Sequence, residues 1–196
     1  HADPDEIRVA PTSAYTLAEA IADVDQKGYN AVNFMEYTFL PVRESPDHDN
    51  VEFQKTMRWY YPFAQRHPHR LNAWKKQSRR WPGTKAFLSE LARTHRTPPS
   101  VNLRDTGGHV VQFPGIHPYP VDFKLKHYIV LSLEHAIQKY VKKSFDPKEI
   151  AGSHGWRATA KEHEFLLPSQ SRMRLYTSDD ELDADHPLKE HLLVQQ

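Results

Sequence analysis

The first half of the chain changes from the apolar spacing of a helix to that of a strand. Apolar side chains first recur every three or four residues, at Leu17, Ala20, Ile21 and Val24. Thr16 and Glu19 have the spacing of a capping box at the start of this stripe, and Gly28 is placed to end it. The pattern therefore predicts a helix from Leu17 to Lys27.

The residues that follow predict strands. Between Tyr29 and Leu40, apolar and aromatic side chains fall on both alternating faces, which is typical of a strand that is covered on both sides. A second strand is predicted from Val121 to Val130, and Ser132 is a suitable N-cap for a helix directly after it. Helices alternating with buried strands predict an α/β fold.

Composition divides the chain into three regions. Residues 1–160 carry the predicted helices and strands and form the predicted domain. Within them, residues 77–99 are rich in lysine and arginine and end in two prolines, so we interpret them as a basic surface insertion. Residues 161–196 are polar and acidic, and we predict that they form a solvated C-terminal extension.

The charge balance and the residue types exclude several classes of partner. The 196 residues include 26 lysines and arginines and 25 aspartates and glutamates, a net charge of +1, so no general attraction to nucleic acid is expected. No apolar run approaches the length of a transmembrane helix. The chain has no cysteine, which fits a cytoplasmic protein, and we expect that location.

The chain opens on a dense group of carboxylates. Asp3, Asp5 and Glu6 fall within four residues, and the two aspartates are two positions apart. In an extended or turn-like backbone, this spacing can direct two carboxylates at one hard divalent cation such as Mg²⁺ or Mn²⁺. A solvated acidic tail has the same composition, and the spacing alone leaves both interpretations open.

A histidine and a lysine later in the chain favour the metal interpretation. His127 interrupts the apolar row of the predicted strand near its C-terminal end, and Lys139 lies in the helix that follows. Ligands of α/β sheets gather beyond the carboxyl ends of the strands, where helix N-termini point. We therefore predict a metal and anion site there. A satisfied core histidine and a solvated lysine face, formed with Lys142 and Lys143, are the alternatives.

The order of short motifs along the chain resembles a known family. The motifs are Asp3-Pro4-Asp5-Glu6-Ile7, Gly28-Tyr29-Asn30-Ala31-Val32-Asn33-Phe34, Thr38-Phe39-Leu40-Pro41, Met57-Arg58-Trp59-Tyr60-Tyr61-Pro62-Phe63, Asn72-Ala73-Trp74-Lys75, Gly107-Gly108-His109, Lys126-His127-Tyr128 and Gly155-Trp156-Arg157. From Asp3 to Arg157 the chain resembles family 2 glycosyltransferases of the GT-A fold. The resemblance implies the C-terminal part of a Rossmann-like GT-A domain, with a mixed sheet and flanking helices. The nucleotide-binding half of such a domain is expected upstream of His1.

The resemblance also implies roles for individual residues. Asp3, Asp5 and His127 would hold Mn²⁺ or Mg²⁺ under the diphosphate of a nucleotide sugar. Substrate contacts would be made by Glu6, His109, Tyr128, Lys139 and Trp74, with Lys139 beside the diphosphate. An inverting enzyme also needs a carboxylate base that takes the proton of the acceptor hydroxyl. Asp105 is the candidate for this base, and Glu36 is the alternative.

The predicted activity is the transfer of a sugar from a nucleotide-diphosphate sugar to a hydroxyl of a glycan or another acceptor. Two other functions remain as alternatives. A metal-dependent phosphohydrolase would use Asp3 and Asp5, but the phosphatase pattern Asp-x-Asp-x-Thr/Val is not completed by Glu6-Ile7. A non-catalytic carbohydrate-binding fragment would stack sugar rings on the aromatic side chains of Trp59, Tyr60, Tyr61 and Trp74.

Overall fold

A five-stranded mixed sheet organises the chain. The structure, a computed structural model, describes residues 3–76, 101–103, 108–143 and 159–194. The strands are β1 (Glu6–Val9), β2 (Ala31–Val32), β3 (Phe34–Phe39), β4 (Trp59–Phe63), β5 (Ala73–Trp74), β6 (Phe123–Tyr128) and β7 (Arg174–Leu175). The helices are α1 (Leu17–Gln26), α2 (Phe53–Thr56) and α3 (Leu133–Ile137).

The strand order of the main sheet is β1-β6-β3-β4-β7. Strands β3 and β6 are parallel, and the other neighbours are antiparallel. Strands β2 and β5 form a separate two-stranded sheet. The predicted α/β class and the predicted mixed sheet are therefore confirmed.

Helix α1 is built as its sequence predicts. Both bonds of the capping box between Thr16 and Glu19 are present. Gly28, just past the helix end, has a φ of +86°, a left-handed conformation that favours glycine. The apolar stripe is narrower than predicted, because Ala20 and Val24 are buried whereas Ile21 is 41% exposed.

The predicted strand from Tyr29 to Leu40 is divided in two by Asn33. The backbone oxygen of Asn33 accepts a hydrogen bond from Phe123, at the start of β6, and its side-chain oxygen accepts one from the backbone of Arg70. Before this residue the chain pairs with β5, and after it the chain pairs with β6 and β4. Asn33 thus marks the point where the chain passes from one sheet to the other.

One face of the strand β3 has apolar ends and a polar centre. Side chains alternate along a strand, so Phe34, Glu36, Thr38 and Leu40 share one face. Phe34 packs in a cluster beneath α1, and Leu40 packs in a second cluster beneath α3. Strand β6 repeats this order, since Leu125 belongs to the first cluster and Ile129 to the second, with His127 between them.

The C-terminal segment differs from the predicted solvated extension. Strand β7 pairs with β4, and Phe165 and Leu193 are only 1% and 2% exposed within the cluster beneath α3. Tyr176 and Leu182 cover the opposite face of the sheet, where they pack with an aromatic cluster of β3, β4 and β6. Within the described part of residues 161–196, a few apolar side chains therefore complete the core on both faces of the sheet, while most of the other residues are exposed or half-buried.

Two further predictions concern a basic insertion and membrane-spanning helices. The proposed basic insertion, residues 77–99, lies outside the described residues. Among the residues that the structure describes, no helix is both long and apolar enough to cross a membrane.

The burial of Phe165 yields a test of the role of the C-terminal segment. Phe165 stacks on Tyr140 with a ring separation of 5.9 Å, so Phe165→Ala would leave a cavity in the core. We expect this variant to lose about 3–5 kcal/mol of unfolding free energy in urea denaturation. Leu166→Ala is the matched control, since Leu166 is 42% exposed and its truncation should cost at most about 0.5 kcal/mol. Equal, small losses in both variants would show that the segment is a solvated extension after all.

Candidate functional site

The polar centre of the sheet is the candidate site. Glu6 of β1 and Thr38 of β3 both lie opposite His127 of β6 in the sheet register. In the next row of the same face, Arg8 and Glu36 both lie opposite Leu125. Three neighbouring strands thus bring two acids, a histidine and an arginine onto one surface, between the two apolar clusters.

Glu36 lies at the middle of this surface and has no exposed area. One carboxylate oxygen, Oε1, accepts hydrogen bonds from His127 Nδ1 at 2.7 Å and from the Thr38 hydroxyl at 3.1 Å. The other, Oε2, accepts from His69 Nε2 at 2.8 Å and from Arg70 Nε at 2.9 Å. Glu36 cannot reach an acceptor hydroxyl from this position, so the structure does not favour it as the catalytic base.

One carboxylate oxygen of Asp5 lies close to two cationic groups. Its Oδ2 lies 3.1 Å from Lys139 Nζ and 3.7 Å from His127 Nε2. Lys139 also donates to the backbone oxygen of Ile129 at 2.9 Å, which fixes the ammonium group beside Asp5. The structure thus brings together Asp5, His127 and Lys139 as predicted, from three separate parts of the chain.

The helical region after β6 explains why this lysine is the one in the site. Helix α3 begins at the predicted cap Ser132 and continues as a π-helical turn over Gln138–Lys142. Lys139 lies on the side of this turn that faces Asp5, whereas Lys142 is 57% exposed and pairs with Glu134. The predicted lysine stripe therefore has one member in the site and one on the solvated face.

The close charges shift the ionisation of the site. Burial favours the neutral carboxyl of Glu36, but hydrogen bonds from His127 and His69 and the charges of His127 and Arg70 outweigh it and hold the pKa of Glu36 well below its usual range. For Asp5, burial is likewise outweighed, here by His127 and Lys139, and its pKa is lowered. Burial opposes the charge of His127, but Asp5 and Glu36 raise its pKa to about 9.

Asp3 lies in a different group from Asp5. The turn that leads into β1 is closed by a hydrogen bond from the Glu6 backbone to the Asp3 oxygen at 3.1 Å. Asp3, Glu6 and His109 each offer one potential ligand atom within 4.8 Å of the others, and no other set of three acids or histidines among the described residues does so. The predicted set of Asp3, Asp5 and His127 is therefore not a compact set of ligands, because the turned backbone gives the two aspartates different neighbours.

Glu6 and His109 are both tied to arginine. Glu6 Oε2 accepts from Arg8 at 2.6 Å, and Glu6 Oε1 has no hydrogen bond but lies 3.7 Å from Arg70 Nη1. The same Nη1 donates to His109 Nδ1. Since this ring nitrogen accepts, the proton of the neutral ring is on Nε2. Burial, followed by the charge of Arg70, lowers the pKa of His109 to about 4, in keeping with a neutral ring.

Two pairs of residues offer the chemistry that a divalent cation needs. Asp3 and Glu6 contribute carboxylate oxygens, of which Glu6 Oε1 is a buried acceptor without a hydrogen bond. Asp5 contributes another carboxylate beside the Nε2 atom of His127. Oxygen ligands with one imidazole suit Mn²⁺ or Mg²⁺. His109 fits less well, because its Nδ1 is engaged by Arg70 and its Nε2 carries the proton.

The side chains of Tyr128 and Trp74 do not join these contacts. Tyr128 is 4% exposed and stacks on Phe39 at 4.7 Å, since it follows His127 in β6 and so faces the opposite side of the sheet. Trp74 lies in the small second sheet, where it packs against a separate apolar cluster. Asp105 lies outside the described residues.

Several residues of the site were missed by the sequence interpretation. His69 and Arg70 come from the loop after β4, where the backbone oxygen of Arg70 accepts a hydrogen bond from Phe34 at 3.2 Å. A cluster of basic residues in a polar loop gives no signal of burial. Arg8 could have been identified from the sequence. It lies two residues after Glu6, and side chains at this spacing share one face of a strand.

The raised pKa of His127 predicts the pH dependence of stability. The unfolded histidine has a pKa of about 6.5, and the folded one has a pKa of about 9, so the folded protein holds an additional proton between these values. The stabilisation is complete below about pH 6.5 and is lost as the pH rises through about 9. Urea denaturation in the presence of a metal chelator should show stability falling across this window. In the variant His127→Gln, the unfolding free energy should fall less across this window. An unchanged fall would show that His127 is not the group that titrates.

Searches against protein-family models, curated proteins and solved structures return no match. The function of the chain is therefore inferred from the chemistry of its own residues.

Proposed function

We propose that the chain carries the metal- and acceptor-binding residues of a glycosyltransferase of the GT-A type, which moves a sugar from a nucleotide-diphosphate donor to an acceptor hydroxyl. The observation that carries the proposal is the convergence at Asp5, where His127 and Lys139 both meet Oδ2. A carboxylate and an imidazole can hold a divalent cation, and an ammonium group beside them can pair with a metal-bound diphosphate. The lack of cysteine agrees with a cytoplasmic location, which is part of the proposal.

Lys139 has the chemistry to assist the leaving group. Departure of a nucleoside diphosphate places negative charge on phosphate oxygens, and a positioned cation stabilises that charge. The Lys139 side chain is one-third exposed, and its ammonium group is held by Asp5 and the Ile129 oxygen, so one of its three protons can be directed at an incoming phosphate. A divalent cation would add Lewis-acid stabilisation of the same oxygens.

Asp5 and His127 are the residues proposed to hold that cation. His127 donates its Nδ1 proton to Glu36, which leaves Nε2 directed at Asp5. Only the neutral ring can act as a ligand, so His127 would release its Nε2 proton when a cation binds. Asp3 and Glu6, the first and last residues of the same turn, lie in the separate group with His109 and are not assigned to this cation.

The acceptor side is assigned to the loop that contains His109. The neutral ring of His109 offers its Nε2 proton as a donor to a substrate oxygen. Asp105, four residues earlier, remains the proposed base for the acceptor hydroxyl. Trp74 is proposed to contact substrate at the neighbouring small sheet, where it is half-buried.

Two lysines on the same turn provide a direct test of the proposal. In the protein at its full native length, Lys139→Met should weaken binding of a uridine diphosphate sugar in the presence of Mn²⁺ by about 10–100-fold, the loss expected for one charge-assisted hydrogen bond. Lys142→Met is the matched control and should bind as the parent does, because Lys142 is on the solvated face. Isothermal titration calorimetry measures both affinities.

Variants of Asp5 and His127 test the proposed metal site. Asp5→Asn should abolish the effect of Mn²⁺ on nucleotide binding, and His127→Ala should weaken it. Protein that ignores both Mn²⁺ and the nucleotide sugar would rule out the transferase. Hydrolysis of a phosphomonoester without sugar transfer would instead support a phosphohydrolase.

A further inference from the structure

We propose that Glu36 is the positioning residue of the site: one of its carboxylate oxygens orients His127 towards Asp5, and the other orients Arg70 towards His109. This inference rests on the proposed function only for what the site binds. The positioning itself is a property of the buried contacts.

The complete burial of the Glu36 carboxylate carries a desolvation cost. Moving a carboxylate out of water carries a penalty of several kcal/mol, and well-packed apolar side chains in its place would often be as stable or more so. On the same face, Phe34 precedes Glu36 and Leu40 lies beyond Thr38, and both of these apolar side chains are 1% exposed, so the carboxylate lies between apolar residues along the strand. A charge at this place therefore indicates that the orientation of its partners matters.

The Oε1 side of Glu36 fixes His127. The bond to Nδ1 is short, 2.7 Å, and the Thr38 hydroxyl at 3.1 Å holds the same oxygen in place. A carboxylate that accepts from one ring nitrogen sets the ring orientation and makes the other nitrogen a better ligand. In this structure, the other nitrogen is the Nε2 atom that faces Asp5 at 3.7 Å.

The Oε2 side of Glu36 fixes Arg70. Its Nε donates to Oε2 at 2.9 Å, while Nη1 of the same guanidinium reaches His109 Nδ1 and lies 3.7 Å from Glu6. The guanidinium is planar and rigid, so fixing Nε also fixes Nη1. Glu36 thus connects the group around Asp5 with the group around Asp3 through a single carboxylate.

A glutamine cannot take over this role. Its amide offers an acceptor at only one of the two positions, whereas all four partners of Glu36 present protons to it. Glu36→Gln must therefore place an NH₂ group against either the His127 side or the Arg70 side. Glu36→Asp keeps the charge and both acceptors, but its side chain is one methylene shorter and cannot keep both sides at their present distances.

The experiment measures Mn²⁺ affinity and ring geometry in the same variants, using the full-length protein. Affinity is measured by electron paramagnetic resonance, and the Nδ1 proton of His127 and the ring nitrogens of His109 are followed by ¹⁵N-edited NMR without metal. We expect Glu36→Gln to lower Mn²⁺ affinity by about 10–100-fold, as outer partners of metal-bound histidines do. We also expect the downfield His127 Nδ1 proton to shift or vanish, and the His109 nitrogens to shift. Glu36→Asp should be intermediate in every readout.

Val24→Ala is the control for lost stability, because Val24 is 4% exposed in the cluster beneath α1 and its apolar side chain cannot hydrogen-bond to the site. It should lower stability but leave the Mn²⁺ affinity and both histidine signatures unchanged. If Glu36→Gln does not fold, Glu36→Asp decides the matter. Parental affinity and histidine signatures in the folded Glu36 variants would overturn the proposal. Absence of Mn²⁺ binding in the parent, with the histidine changes still present, would refute the proposed function and leave the positioning role standing.

Discussion

Removing a carboxylate from water requires that its charge and its hydrogen-bonding capacity be met by the protein, and this requirement governs the arrangement around Glu36. Its two oxygens are satisfied by His127 and Thr38 on one side and by His69 and Arg70 on the other. Thr38 lies in β3 itself, His127 comes from the neighbouring strand β6, and His69 and Arg70 come from the loop after β4. The polar groups are held between two apolar clusters, so the clusters supply the rigidity and the carboxylate supplies the orientation.

This arrangement accounts for how separate segments act together. Asp5 precedes β1, His127 is the last residue but one of β6, and Lys139 follows α3. All three meet because β1 and β6 are paired and α3 packs on the same face. The second group, around Asp3 and His109, is joined to the first through Arg70. The two groups are thus connected by buried contacts, and the four hydrogen bonds to Glu36 satisfy both of its oxygens.

Local patterns in the sequence predicted the parts of the structure that local physics determines. The capping box fixed the start of α1, and the buried row of β6 revealed His127 as an unusual residue. The pairing of Asp5 with His127 and Lys139 followed from the rule that ligands gather at strand ends, together with the resemblance. The separation of Asp3 from Asp5, the recruitment of Arg70 and the burial of Phe165 depend on tertiary contacts that periodicity does not encode.

The most direct test of this account is anomalous X-ray diffraction from crystals of the protein with Mn²⁺. The account predicts an anomalous peak coordinated by the Asp5 carboxylate and by Nε2 of His127, with Nδ1 of His127 still bonded to Glu36. A peak held only by Asp3, Glu6 and His109, with Asp5 still paired to Lys139 and His127, would contradict it. So would the absence of any bound Mn²⁺ at concentrations that saturate metal-dependent transferases.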